Sequence, residues 1–447
     1  MTLRRVFVAN RGEIAVRIVR ACRALGLEAV AGVSDVDRDS AAARLADRAV
    51  CIGPARATDS YLRPETIVQA ALGTGCDAIH PGYGFLSENP RLAALAREEG
   101  IAFVGPPREV IALAGDKLRA RAAAAAAGLP LVPGAEVADL DAAQAFAADG
   151  GYPVLLKAAG GGGGRGIKLA RDPDGLDAVF GVAVAEADAA FGDPRVYVER
   201  FVAAARHVEV QIAADAHGAV VHLGERDCSV QRRYQKVIEE APAPSLTPEQ
   251  RAALTGDAVA FARAIGYVNL GTVEFMVDAG TGEHFFLECN CRIQVEHPVT
   301  EEVTGRDLVA EQIRIAAGES LSFAQDDVAV AGHAVEARLT AEDAAHGFRP
   351  SPGRLARFAV PDLKGLRVDT HCADGTLIPP HYDSLMAKLI GRGPDRATAV
   401  EVLADALDRL EVEGVETNRT LLRDVLRHSD FAAGPVTTRW LEEEALA

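Results

Sequence analysis

The chain is short of cations. Its 47 Lys and Arg stand against 64 Asp and Glu, a net charge of −17. That balance argues against a general nucleic-acid binder or a binder of anionic membranes. It leaves an anionic substrate open, because a few local Lys and Arg reverse the field inside a cleft. Cysteine is scattered, at 22, 51, 76, 228, 289, 291 and 372. The number is odd and no Cys-x-x-Cys occurs, so neither a disulfide framework nor a zinc knuckle is indicated. No run reaches the ~18–20 apolar residues of a membrane span. The alanine stretch 122–127 is short and follows Arg119 and Arg121. The first residues lead straight into a strand-like segment without a signal-peptide layout. No Gly-x-Gly-x-x-Gly follows that strand, which excludes a nicotinamide dehydrogenase. No internal repeat is found. These absences predict a reduced, cytoplasmic protein with neither membrane nor nucleic acid as partner.

What is present is globular. Hydrophobic residues make up 49% and charged residues 25%, which is not the composition of a disordered chain. At 447 residues, two or three domains are expected. Apolar runs at 6–9, 29–33, 49–52, 78–79 and 102–104 alternate with helical patterns. That alternation predicts a doubly wound parallel sheet, whose ligands gather at the carboxyl ends of its strands. Residues 114–129 read as helical. A smaller α+β segment, 130–203, holds strands at 154–157, 167–169 and 196–199 and a helix around 175–190. Short strands dominate from 204, and helices return near 395–428. The expected division is 1–113, 114–129, 130–203 and 204–447.

Five segments carry candidate chemistry. In 288–296, Glu288, Asn290, Arg292, Gln294 and Glu296 alternate with Cys289, Cys291, Ile293 and Val295. If the stretch is extended as far as 296, all five polar groups share one face, and the cysteines fill the core behind it. Strands at 272–277 and 285–288 flank a turn with Asp278, Gly280 and Gly282, which reads as a hairpin. A turn centred on Thr281 places Glu274 opposite Glu288. Opposed carboxylates repel, and a divalent cation such as Mg²⁺ relieves them, with Asn290 as a third oxygen. An edge hairpin in water is the alternative. The glycine run 160–164, with Arg165 and Gly166, lies between two strands just after Lys157. It fits neither a P-loop nor a Rossmann turn. It reads as a mobile cover for phosphates, or else as a flexible linker. Residues 225–236 concentrate four cations beside Glu225 and Asp227. They read as a paired network with some cations free for an anion, or as a solvated basic face. Residues 80–89, with Gly82 and Gly84, turn at the carboxyl edge of the sheet.

These residues bring the chain close to a known family. It resembles biotin carboxylase, the ATP-grasp subunit or domain of biotin-dependent carboxylases, over nearly its whole length. The resemblance rests on Val-Ala-Asn-Arg-Gly-Glu-Ile at 8–14, the 80–89 turn, Gly-Asp-Lys at 115–117, the glycine loop, 225–236, 288–301 and Gly-His-Ala-Val-Glu at 332–336. It implies a pre-ATP-grasp parallel sheet in 1–113, an ATP-grasp lid in 130–203, and a core plus a C-terminal α+β domain in 204–447. It implies that ATP and bicarbonate give carboxyphosphate, and that biotin is then carboxylated at N1′. Lys117, Lys157 and the loop glycines 162, 163, 164 and 166 would meet ATP phosphates. Glu199 and the adjacent backbone through Arg200 and Val202 would read adenine, with His207, Gln231 and Tyr234 in the same cleft. Glu209 belongs there too. Glu274, Glu288 and Asn290 would hold Mg²⁺ or Mn²⁺. Lys236, Arg292, Gln294 and backbone Val295 would cradle bicarbonate, and Glu296 would be its general base. Arg338 would stabilise the biotin enolate, with Tyr83 and Gly84 on the biotin side.

The sequence departs from that family at Tyr234, where His is usual, at Arg200 for Lys, and at Cys289 and Cys291 for Met and Thr. The reaction would be the first half of an acyl-CoA carboxylase such as acetyl-CoA carboxylase. No biotin-acceptor motif precedes Ala447. A biotin carboxyl carrier protein and a carboxyltransferase are therefore expected as partners, and a homodimer is expected for a chain of this size. A related ATP-grasp ligase with another acceptor shares the nucleotide and metal residues. A non-catalytic nucleotide-binding regulator has Tyr234 as its support.

Overall fold

The computed structural model describes residues 2–159 and 167–445. The strands β1 (Arg5–Val8), β2 (Glu28–Ser34), β3 (Arg48–Gly53), β4 (Ala78–His80) and β5 (Ala102–Phe103) form a wholly parallel sheet in the order β3-β2-β1-β4-β5. Both faces are covered, as a parallel sheet requires. Val6 and Val8 pack on one side with Ile14, Ile18 and Cys22. Phe7 packs on the other with Tyr61 and Ile67. The helix Gly12–Ala24 leaves the carboxyl end of β1 through Gly12, whose φ of +67° favours glycine. Its inward stripe of Ile14, Ile18 and Cys22 follows the 3.6-residue period, and its first turn delivers Glu13 to the sheet edge.

The helical stretch expected at 114–129 is the helix Lys117–Ala126, and a separate helix, Arg108–Ala114, comes before it. Arg108–Ala114 ends at Gly115, and Lys117–Ala126 restarts because Asp116 accepts from the N–H groups of Leu118 and Arg119. Next comes a small antiparallel sheet, β6 (Gly134–Val137), β7 (Val154–Ala158), β8 (Ile167–Ala170) and β9 (Val196–Arg200), in the order β6-β9-β7-β8. Helices Leu140–Gly150 and Pro173–Phe191 cover one face of it. Lys157 pairs with Ile167, so the glycine loop joins two neighbouring antiparallel strands. The loop itself, with the glycines at 162, 163, 164 and 166, lies outside the described residues.

The largest sheet is antiparallel. It uses β10 (Ala205–Ala214), β11 (Val220–Arg232), β12 (Gln235–Ala241), β13 (Asn269–Asp278), β14 (His284–Asn290) and β15 (His333–Thr340). Short strands β16 (Glu342–Asp343), β17 (Arg349–Pro350), β18 (Gly353–Arg354) and β19 (Arg357–Ala359) lead to β20 (Leu366–Thr370), β21 (Leu377–Ile378), β22 (Leu385–Gly393) and β23 (Glu411–Glu413). The eight-stranded order is β14-β13-β10-β11-β12-β15-β22-β20. Helix Pro248–Ala264 packs on β10 and β11, while Arg396–Arg409 packs on β15 and β22. One continuous sheet thus carries both the candidate metal residues and Arg338. Among the described residues, no helix is long and apolar enough to cross a membrane.

Candidate active site

β13 and β14 form the expected hairpin, and Glu274 is the register partner of Glu288. The pairs nearer the turn follow another register, with Val277 opposite His284 and Phe275 opposite Phe286. A bulge at Leu287 brings the two glutamates face to face. β14 is the outermost strand of its sheet, but the alternative of a hairpin in water fails, since Glu274 is buried at 4% exposure. Burial pushes the Glu288 carboxyl up, and the negative Glu274 pushes it further, against Lys117. Burial would raise Glu274 as well, but Lys236 and His207 outweigh it and hold that carboxyl well below the usual range.

Glu274 sits in a hub of buried polar groups. Its Oε1 accepts from Lys236 Nζ (3.0 Å), Asn290 Nδ2 (2.8 Å) and Gln294 Nε2 (2.8 Å), and its Oε2 lies 2.8 Å from His207 Nε2. The other ring nitrogen of His207 faces Gln231 at 2.9 Å. Lys236 Nζ also meets Glu209 at 2.5 Å and Glu296 at 2.6 Å. Three carboxylates around one ammonium hold Lys236 charged, pushing it above its ordinary value despite burial. Ligand atoms of His207, Glu209 and Glu274 lie within 4.8 Å of one another. Lys236 sits between Glu209 and Glu274 there, whereas Glu288 has its carboxyl pushed up beside Glu274, so Glu274 with Glu288 is the better place for a cation.

The segment after β14 departs from expectation. The strand stops at Asn290, and Glu296 becomes the N-cap of the helix His297–Thr304. The chain folds there because the Gln294 carbonyl accepts from the His297 N–H and Nδ1, and Pro298 suits a first helical turn. A common strand face therefore does not unite the five polar residues. The turn does, by bringing Gln294 and Glu296 back over the sheet to Glu274 and Lys236. Cys289 and Cys291 pack in the core, as expected.

Glu296 is fully buried between two cations. Its Oε1 accepts from Lys236 and its Oε2 from Arg338 at 2.8 Å. Burial alone would push its carboxyl up, but Lys236, Arg338 and Arg226 together hold it well below the usual range. Arg338 also donates through Nε to Glu239 at 2.6 Å. Burial, then the nearby Glu296 charge, push Glu239 up to about 7 against the pull of Arg338. Arg292 donates to Asn290 Oδ1 at 3.0 Å and its Nε lies 3.1 Å from Glu88.

The 225–236 segment is a paired network, but most of its partners come from outside the segment, on other strands and on helices. Arg226, fully buried, donates to Glu209, Gln211, Thr300 and Thr272. Glu225 pairs with Arg251, and Asp227 bonds Ser229 and Ser245. The side chains of 225–236 alternate faces, so acids and cations next to each other in sequence point apart.

One cleft is lined by Lys117, Lys157, Val202, His207, Gln231, Tyr234, Lys236, Glu274, Glu288, Asn290, Arg292, Gln294, Val295, Glu296 and Arg338, and reaches Tyr83 and Gly84. Glu199 stands beside it in an ion pair with Lys157, 3.8 Å from Arg121. Arg200 lies over the Phe285 ring at 5.7 Å. Tyr234 is exposed at 57%, at a hairpin tip where it and Arg233 adopt positive φ. Sequence reasoning missed Glu13, Glu88, Glu239 and Lys388. Glu88 and Glu13 stand inside recognised motifs, and Lys388 interrupts an apolar run, which was the available signal.

Residues 2–111 match the family model described as biotin carboxylase, N-terminal domain. Residues 116–324 match carbamoyl-phosphate synthase L chain, ATP binding domain, and residues 336–443 match the biotin carboxylase C-terminal domain. The chain is 49% identical to the biotin carboxylase of Pseudomonas aeruginosa over 99% of its length and 98% of that protein's. It is 48% identical to that of Nostoc sp. over 99% of each. The biotin carboxylase domain dimer of Hydrogenobacter thermophilus 2-oxoglutarate carboxylase, in complex with MgADP, ADP and bicarbonate, superposes with a TM-score of 0.95. Its identity is 45%, covering 100% of this chain and 98% of that one. The Campylobacter jejuni biotin carboxylase–β-γ-ATP complex gives 0.96 at 39% identity, covering 99% of each.

Proposed function

This chain belongs to the biotin carboxylase family, and from that premise we propose how its cleft performs the ATP-dependent carboxylation of biotin. The observation that carries the assignment of roles is Glu296, a buried carboxylate gripped by Lys236 and Arg338 and kept ionised. Such a group accepts a proton from bicarbonate once the anion takes over the two cations. Lys236, Arg292, Gln294 and the Val295 backbone cradle that anion. Bicarbonate oxygen then attacks the γ-phosphorus of ATP, giving carboxyphosphate and ADP. Carboxyphosphate releases phosphate, and its carbon is transferred to N1′ of biotin, which yields its proton to the phosphate. Arg338 donates to the ureido oxygen of biotin while charge builds there.

Lys117 and Lys157 face the ATP phosphates, with Glu199, Arg200 and Val202 toward the adenine. Glu274 and Glu288 are hard oxygen donors whose mutual repulsion a cation relieves, so they fit Mg²⁺. Asn290 turns its oxygen to Arg292 here, and that oxygen would be the third donor to the metal. Mg²⁺ supplies neutralisation of the phosphates during phosphoryl transfer.

As partners we propose a second copy of the chain, a biotin carboxyl carrier protein and a carboxyltransferase, in the cytoplasm. Similar structures come from 2-oxoglutarate and pyruvate carboxylases, so the same half-reaction serves several final acceptors. The test is ATP hydrolysis with and without bicarbonate and free biotin. Dependence on bicarbonate with stimulation by biotin is expected, and Glu296→Gln should remove it. Bicarbonate-dependent turnover that ignores biotin would instead indicate an ATP-grasp ligase with another acceptor.

A further inference from the structure

Lys388 stands in the middle of β22 among Met386, Ala387, Leu389 and Ile390, and its side chain is fully buried. Its Nζ donates to the carbonyl oxygen of Val295 at 2.9 Å. The same nitrogen lies 3.2 Å from Glu13 Oε2 and 4.0 Å from Asp369 on neighbouring β20. Glu13 is buried too, and its other oxygen accepts from the hydroxyl of Tyr83. One ammonium–carboxylate pair therefore touches both walls of the cleft. Its Lys end holds the backbone at Val295, and its Glu end holds Tyr83.

The register explains why this matters. Lys388 is the cross-strand partner of Arg338, so both side chains leave the sheet on the same face. They act on consecutive residues. Lys388 takes the Val295 carbonyl, and Arg338 takes the Glu296 carboxylate. β14 has ended at Asn290, so the sheet ladder no longer places this piece of chain. A charged donor on the Val295 carbonyl orients the peptide that joins Val295 to Glu296.

We infer that Lys388 and Glu13 are a positioning pair for the carboxylation reaction, aligning the Val295–Glu296 peptide of the bicarbonate cradle with Tyr83 on the biotin side. The inference rests on the reading of those two walls given above. Neither residue contacts substrate in this scheme. Their effect passes through Val295, Glu296 and Tyr83.

The experiment is steady-state ATPase kinetics of the full chain, varying ATP, bicarbonate and free biotin separately. Lys388→Met keeps side-chain length and removes the donor. It is expected to raise KM for bicarbonate about tenfold or more, as loss of a charged hydrogen-bond donor implies, with KM for ATP unchanged. The single variant leaves Glu13 buried without its cation, which endangers folding. The double variant Glu13→Gln with Lys388→Met removes both charges. It is expected to show the same bicarbonate defect plus a raised KM for biotin. A KM for bicarbonate at the wild-type value in the double variant overturns the inference. So does a parallel rise of all three KM values, because that marks a pair that only supports the fold. A wild-type chain whose ATPase ignores bicarbonate and biotin overturns the function itself, and the two failures are read from different samples.

Discussion

Glu274 and Glu288 face each other across β13 and β14, the register partners of a hairpin whose bulge at Leu287 exists between them and the turn. Glu288 faces an ionised carboxylate there, and the repulsion that helps push its own carboxyl up opposes folding until a cation arrives. Glu288→Gln should therefore stabilise the metal-free chain by a few tenths to about 1 kcal/mol. The same variant should raise the Mg²⁺ concentration needed for half-maximal ATPase. Thermal unfolding in chelator and a Mg²⁺ titration of turnover check the two halves. A variant less stable in chelator would show that Glu288 contributes packing or hydrogen bonds instead.

Lys236 sets the basicity of Glu296. A base must be deprotonated to work, so activity falls as pH falls through its pKa. In the wild type Glu296 is held well below the usual carboxylate range, and kcat/KM for bicarbonate should show no acid limb from it near neutrality. Lys236→Gln removes the nearest cation and lets burial push Glu296 up. The acid limb should then move upward by about one pH unit or more, on top of a lower plateau. The measurement is the pH profile of bicarbonate-dependent ATPase, where shape and not height is decisive.

Arg226 is completely buried and serves four side chains on β10, β13 and the helix His297–Thr304. Arg226→Met should cost about 3–5 kcal/mol, as removal of one partner of a buried ion pair does. Denaturant unfolding measures it. A loss below about 1 kcal/mol would place the pair among those that barely contribute.

Tyr234, at the position where the resemblance implies His, stands exposed at its hairpin tip. Tyr234→His should leave KM for ATP within about twofold, the range of a surface substitution. A larger change in ATP kinetics would bring the tip into contact with the nucleotide.

Much of this was legible along the chain. The apolar strands of the N-terminal sheet declare themselves because both faces of a parallel sheet are buried. A turn centred on Thr281 predicts the Glu274–Glu288 pairing, and the bulge at Leu287 delivers it, since the pairs nearer the turn follow another register. The alternation in 288–296 misled as to shape. Its residues do converge, yet a helix start and not a strand brings Glu296 home. Lys388 shows only as a charge inside an apolar run, and neither it nor Glu239 names its partner, since Glu239 reaches Arg338 from 99 positions away and Lys388 reaches Val295 from 93.

The sequence by itself determined the family, the chemical types in the cleft and the alternation that puts Cys289 and Cys291 in the core. These depend on local spacing and on residue kinds, which a chain carries whether folded or not. The tertiary structure alone decided which charges meet. It placed Lys236 among three carboxylates, paired Arg226 with Glu209 instead of its sequence neighbours, and buried Lys388 beneath the loop at Val295. Ionisation follows distance and desolvation, and both are set only when strands remote in sequence lie side by side.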